Sequence, residues 1–244
     1  MPIQAFLRHS EYHHNASRYK PTSSQRRLHE SDYWWEDVEA LCTAGSDGTS
    51  CWTYLACPQD PDTAHLDSIV IAVKGICRNN GYSNARGAVG IFFCNGNFLN
   101  HGMEISDAYT SQRADLHAAW RALLDAKRIR QRNKVRWPTP PGPWRRLRRV
   151  VIKTNSMYLV DAMDEHIHRW KTNGFINAKR QSVVNKDLFE KLDDVIEELE
   201  DMNVVVQFWH VSKSENGDAA ALANQALNQR GSSTEYSSSN DGWR

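Results

Sequence analysis

The order of apolar and polar positions divides the chain near residue 66. Beyond it, Ser68 to Val73 is a β-branched apolar run, the pattern of a buried strand. Gly87 to Phe93 repeats the pattern and ends in the turn sequence Cys94-Asn95-Gly96-Asn97. Phe98 to Ile105 is therefore expected as a third, antiparallel strand. From Ser111 to Ile129 the period changes, and Leu116, Ala119, Trp120, Leu123 and Leu124 form one helical stripe. Arg149 to Thr154 predicts a fourth strand and Val204 to Val211 a fifth. Met157 to Met163, Asn185 to Leu199 and the Ala-rich Ala219 to Asn228 predict helices. A strand meander followed by alternating strands and helices predicts an α/β domain, a five-stranded mixed sheet flanked by helices.

Residues 1–66 lack that regularity. Ser17 to Arg27 is polar and proline-punctuated, and Tyr33, Trp34 and Trp35 open a short amphipathic stretch to Leu41. Ala44-Gly45-Ser46-Asp47-Gly48 is turn chemistry. The expected organisation is an irregular, aromatic-rich, partly flexible extension (1–66), one folded domain (67–229) and a disordered polar tail (230–244). Trp34, Trp35 and Trp52 would pack the extension onto the domain or onto a partner. Cys42, Cys51, Cys57 and His65 could ligate a metal, but their spacing matches no strong zinc pattern.

Charge and composition narrow the function classes. Thirty Lys and Arg against 29 Asp and Glu give a formal net charge of +1, which excludes a globally basic nucleic-acid binder. Hydrophobic residues at 40% and charged residues at 24% suit a domain with a real core. Five cysteines lack the even count and density of a disulfide framework. No membrane span is expected, because nowhere do about 18 apolar residues run together. Without a visible signal peptide, an intracellular protein of cytoplasm or nucleus is expected.

The net charge hides two opposed blocks. Residues 127–149 hold ten Lys or Arg and no acid, with Trp137 and Trp144 around a proline-rich break. Basic residues interleaved with aromatics suit nucleic-acid contact, with Arg145 and Arg146 as candidates. The bland alternative is a solvated, proline-stiffened connection. Residues 187–201 hold eight acids. They could face the basic block of a second copy, or form an ordinary exposed helix face.

Four stretches carry a resemblance to a known family. Val70-Ile71-Ala72-Val73-Lys74-Gly75-Ile76-Cys77-Arg78-Asn79-Asn80-Gly81 looks like its first strand and turn. Thr110-Ser111-Gln112-Arg113-Ala114-Asp115 looks like the start of its first helix. Val151-Ile152-Lys153-Thr154-Asn155-Ser156 looks like its "Thr-Asp-Ser" strand end. Trp209-His210-Val211 with Asn216 to Ala223 looks like its final strand and helix. Trp170 to Phe175 and Asn185 to Leu188 resemble its substrate-handle segment. Together they resemble ribonuclease H type 1-like proteins of fungi, over residues 67–228.

That resemblance implies a ribonuclease H fold, and an enzyme that cuts the RNA strand of RNA–DNA hybrids with two Mg²⁺ ions. The ions require a cluster of anionic oxygens, supplied in the family by Asp, Glu, Asp and Asp. Here the four positions fall on Lys74, Asp115, Asn155 and Ala220. Four carboxylates become an ammonium, one carboxylate, an amide and a methyl, and the site's formal charge rises to about zero. Lys74 and Asp115 are then expected to pair, at roughly 1–4 kcal/mol if about 4 Å apart. Asp218 is no replacement, since two positions along a helix turn it about 200° away.

The resemblance therefore implies no catalytic residue, no metal ligand and a lost Mg²⁺ site. The expectation is a catalytically inactive pseudoenzyme, a binding or scaffold protein that retains some hybrid or other nucleic-acid binding. Asn80, Ser111 and Gln112 match positions that read the RNA 2′-hydroxyls. His166 stands where the family stacks an aromatic on the DNA sugar, Asn185 lies in the handle, and Arg113 matches a buttress. Ordinary turn and capping roles compete for each of these residues. A protein partner or second copy could engage the N-terminal arm. The alternatives are a repurposed enzyme built on Lys74, Cys77, Asp115 and Asn155, or residual metal-dependent ribonuclease H activity.

Overall fold

The computed structural model describes residues 26–28, 42–46, 51–57, 60–65, 67–132 and 147–233. The extension is not irregular throughout, as expected from its sequence. Strands β1 (Cys42–Ser46), β2 (Cys51–Cys57) and β3 (Asp60–His65) form an antiparallel sheet in the order β1-β2-β3. Ala44 to Ser46, expected as a turn, are strand residues paired with Thr53, Trp52 and Cys51. The reason lies in β2, whose Trp52, Thr53, Tyr54 and Leu55 suit a pleated surface. Trp52 is fully buried and meets Phe93 edge to face at 5.8 Å. Thr53 Oγ1 donates to the Phe93 carbonyl (2.6 Å), and Leu55 N–H donates to Ser68 Oγ (3.0 Å). Trp52 thus packs on the main domain as expected. Trp34, Trp35, Trp137, Trp144, Arg145 and Arg146 lie outside the described residues.

The second sheet comprises β4 (Ser68–Arg78), β5 (Arg86–Phe92), β6 (His101–Ile105), β7 (Arg149–Thr154) and β8 (Val205–His210). Its order is β6-β5-β4-β7-β8, with β4, β5 and β6 antiparallel and β4, β7 and β8 parallel. This is the mixed five-stranded sheet that the strand pattern predicts. β6 starts at His101 rather than Phe98 because asparagines organise the preceding loop. Asn100 accepts from Phe93 N–H (2.7 Å), and Asn97 accepts from Leu99 N–H (2.9 Å).

Helix α1 (Ser111–Arg132) packs on β4 and β5, and its Leu116, Ala119 and Leu123 are fully buried. After β7 the chain forms α2 (Met157–Asp161), a π-helical turn (Ala162–His166) and α3 (Ile167–Asn173). The helix thus continues past Met163, its expected end, to a left-handed cap at Gly174 (φ 73°). Helix α4 (Lys186–Asp201) packs against α1 and β8. Helix α5 (Gly217–Ser233) extends beyond the expected tail boundary, so residues 230–233 are helical rather than disordered.

Two apolar clusters hold these layers. The larger joins Ile69, Ile71, Leu116, Leu123, Ile152, Phe189, Leu192 and Phe208. The smaller joins Val70, Val151, Trp209 and Val211 to Leu28 and Leu55 from the extension. Residues 26–28 run parallel to β8: Phe208 N–H donates to the Arg26 carbonyl (2.7 Å), and Leu28 N–H to the Phe208 carbonyl (2.9 Å). Cys94 is disulfide-bonded, while Cys77 is a free thiol. Among the described residues no helix is long and apolar enough to cross a membrane.

Candidate functional site

The centre of the candidate site forms where α1 meets β4, and a glycine sets that approach. A Cβ on Gly75 would stand 2.0 Å from the Ala114 carbonyl carbon and 2.1 Å from Asp115 N, so only glycine lets the helix come so close. The approach lets Gly75 N–H donate to Asp115 Oδ1 at 2.9 Å. Lys74 Nζ donates to the same oxygen at 3.1 Å. The pair is largely enclosed, with side-chain exposures of 17% for Lys74 and 8% for Asp115. The ion pair expected from the charge pattern is present.

Asn155 follows β7 and meets Asn216, the last residue of a 3-10 turn that leads into α5. Asn216 is buried, and its Nδ2 donates to the Val73 carbonyl (2.9 Å) and to Asn155 Oδ1 (3.2 Å). It ties β4, β7 and α5 together at the centre. Sequence reasoning placed Asn216 in a matching motif without giving it a role. An amide at the strand-to-helix junction was the available signal. Helix α5 is drawn in by another glycine: a Cβ on Gly90, the β5 partner of Lys74, would stand 1.9 Å from the Ala219 carbonyl oxygen. Ala220 is next along that helix and brings no polar side-chain atom. Lys74, Asp115 and Asn155 are thus joined to one centre through Gly75, Val73 and Asn216.

A polar strip lies at the N-terminus of α1. Asn80 Oδ1 accepts from Ser111 N–H at 3.0 Å, and Gly81 N–H donates to the Tyr109 carbonyl at 2.8 Å. These bonds fix the turn after β4 against the start of α1. The side chains of Asn80 and Gln112 are exposed. Beside them Tyr82 and Tyr109 are 72% and 53% exposed, two aromatic faces that sequence reasoning missed. Only their lack of a place in the apolar pattern marked them.

Arg113 is a structural clamp. It donates to both carboxylate oxygens of Asp187 (2.9 and 2.8 Å), to Asp107 Oδ2 (2.9 Å), to the Asp107 carbonyl (2.8 Å) and to Asn185 Oδ1 (3.4 Å). The Asp187 hydrogen bonds raise the Arg113 pKa above its already high ordinary value. Arg113 in turn holds the Asp187 carboxyl below the usual carboxylate range. Burial pushes Asp107 up, but Arg113 and His117 outweigh it and its pKa is lowered. Burial also lowers the pKa of His117, whose Nε2 lies 2.9 Å from Asp107 Oδ1.

The other binding candidates are partly engaged. Asn185 sits in a left-handed conformation (φ 61°) before α4, and its Nδ2 donates to Tyr158 Oη at 3.4 Å. His166 lies on the π-helical turn, half-buried, with its ring 5.5 Å from that of Trp170.

The acidic block is paired within the chain, mostly by bases outside the basic block. Lys127 pairs with Glu198, Arg130 donates to the Met202 carbonyl (3.0 Å), and Lys171 pairs with Asp193 (2.6 Å) and Glu197. Arg26 pairs with Asp193 (3.2 Å) and Glu200 (3.6 Å), Arg113 with Asp187, and Lys186 with Glu190 (3.6 Å). Of the acidic block only Asp194 and Asp201 have no salt-bridge partner among the described residues. Six of the eight acids on this helix thus have an ion-pair partner within the chain.

The RNase H family model matches residues 67–228. Mouse Ribonuclease H1 is 26% identical over 167 residues, covering 67% of this chain and 51% of the relative. Ribonuclease H of Clostridium botulinum is 26% identical over 168 residues, covering 67% of this chain and 98% of the relative. A solved foamy viral protease–reverse transcriptase in complex with dsDNA is similar with a TM-score of 0.48 and 19% identity, covering 64% of this chain and 92% of that one. The chain spans about half the length of the mammalian relatives it matches.

Proposed function

The chain belongs to the RNase H family, and we propose that it is a non-cleaving member: a binding or scaffold protein for an RNA–DNA hybrid or a related nucleic acid. One observation carries this reading: Lys74 Nζ lies 3.1 Å from Asp115 Oδ1, at a position where the resemblance puts a metal-binding carboxylate. Two divalent ions need several anionic oxygens held around a common space. The donors present do not suit them. The one carboxylate already receives an ammonium and an amide N–H on Oδ1. Asn155 Oδ1 receives Asn216, and Ala220 offers no ligand. An ammonium inside such a site also repels a divalent cation. No hydrolytic step follows from these residues.

Binding is supported by the strip beside the centre. Asn80, Ser111 and Gln112 offer amide and hydroxyl groups suited to 2′-hydroxyls, and Tyr82 and Tyr109 offer faces for stacking. Arg113 and Asn185 support the strip as braces. We also read the local motifs as the fungal type, the ancestral Mg²⁺ site as lost, and the cellular location as cytoplasm or nucleus.

Titrating a labelled RNA–DNA hybrid with the full chain across a salt series tests the reading. Binding at low salt that weakens linearly in log salt is expected. No binding at low salt overturns the binding role, and strand cleavage in Mg²⁺ or Mn²⁺ overturns the non-cleaving one.

A further inference from the structure

We propose that Lys74 takes over the electrostatic work of a metal ion: its ammonium contacts a backbone phosphodiester, making hybrid binding independent of divalent cations. This inference rests on the hybrid-binding reading above and adds the residue and the chemistry of contact at its centre.

The argument starts from unused donors. An ammonium carries three N–H donors. Lys74 uses one of them, on Asp115 Oδ1. Its remaining donors have no partner among the described residues, and its side chain is 17% exposed, enclosed yet reachable from solvent. Asn155 uses its oxygen to accept from Asn216, and its amide N–H₂ has no partner among the described residues. Lys74 therefore offers unused donors, Asn155 offers its amide N–H₂ beside a second lone pair on Oδ1, and Asp115 is the only anion among these residues.

An ammonium with unused N–H donors selects an anion with several acceptor oxygens. A phosphodiester is that anion in a nucleic-acid partner. Asp115 limits the strength of the contact, because it competes for the same ammonium and repels the incoming charge. It also holds Lys74 in place, and is itself fixed by the Gly75 N–H. The geometry thus gives a short-range cationic contact within a chain whose net charge is only +1.

The test compares hybrid binding by the wild-type chain, by Asp115→Asn and by Lys74→Met/Asp115→Asn, in chelator and then in Mg²⁺. The two variants avoid stranding a buried carboxylate, so both are expected to fold. Asp115→Asn should bind more tightly than wild type. The double variant should bind roughly tenfold more weakly than Asp115→Asn, with a salt slope smaller in magnitude by about 0.9, one phosphate contact. Mg²⁺ should leave the chelator values unchanged, apart from its general screening, matched by adjusting monovalent salt. Equal affinity and slope for the two variants, with wild-type binding intact, overturns the Lys74 contact and leaves the hybrid-binding reading standing. Affinity that rises on adding Mg²⁺ also overturns it. Absence of wild-type binding at low salt overturns both.

Discussion

The ammonium at position 74 decides what its neighbours can do. Asp115 lies buried against Gly75 N–H and Lys74, so removing the ammonium leaves a charge with one backbone partner. Lys74→Met should cost about 2–4 kcal/mol, and adding Asp115→Asn should return most of it, because the penalty is the stranded carboxylate. Urea unfolding of the two single variants and the double variant measures the cycle; additive losses would show that the pair is not coupled. At Arg113 the argument runs through pH. Asp187 and Asp107 have folded pKa values lowered from the ordinary carboxylate value of about 3.9, so the unfolded chain binds protons first. Their contribution is complete above that value and is lost as pH falls below about 4, through the folded values. Arg113→Met should lower stability at neutral pH and flatten the acid limb of the stability curve. An acid limb equal to wild type would deny the clamp its electrostatic role.

Among the elements, the N-terminal segment closes the edge of β8. Arg26 enters a nearly buried ion pair with Asp193, and Arg27 meets Asp161 and Asp164 on α2 and the π-helical turn. The Arg27 amide also donates to Asp164 Oδ1 at 2.9 Å. Substituting both arginines by Ala should undock the segment and expose the Phe208 amide, which otherwise donates to the Arg26 carbonyl. Hydrogen exchange at Phe208 should accelerate by roughly tenfold or more. Unchanged protection would mean that the backbone bridge and Leu28 suffice to hold it. Strands β4, β5, β7 and β8 were legible because their apolar runs are long and bounded by turn residues. The small sheet was not: Gly45 and Ser46 read as a turn, and residues 1–66 show no regular apolar period. The π-helical turn leaves no apolar-period signal, and docking of residues 26–28 depends on partners more than 130 positions away. At the site, motif register brought out Lys74, Asp115 and Asn155. Asn216 stayed hidden because its role comes from a carbonyl on β4 rather than from local sequence.

For the molecule as a whole, the near balance of charge is organised rather than diffuse. Most of the acidic helix α4 is neutralised within the chain by Arg26, Arg113, Lys127, Lys171 and Lys186. The extension contributes to both apolar clusters through Trp52, Tyr54, Leu28 and Leu55. These described residues of the extension are therefore part of the folded body on which the centre rests. On the proposed reading, that centre combines an RNase H framework with a donor set that favours anions over divalent metals. The most direct measurement is single-turnover cleavage of an RNA–DNA hybrid by the full chain in Mg²⁺ and in Mn²⁺. A variant carrying Lys74→Asp, Asn155→Asp and Ala220→Asp would run alongside, with four acids at the centre. The account predicts no cleavage by the wild-type chain in either metal, whatever the variant does. Metal-dependent cleavage by the wild-type chain, weakened by Lys74→Met, would contradict it.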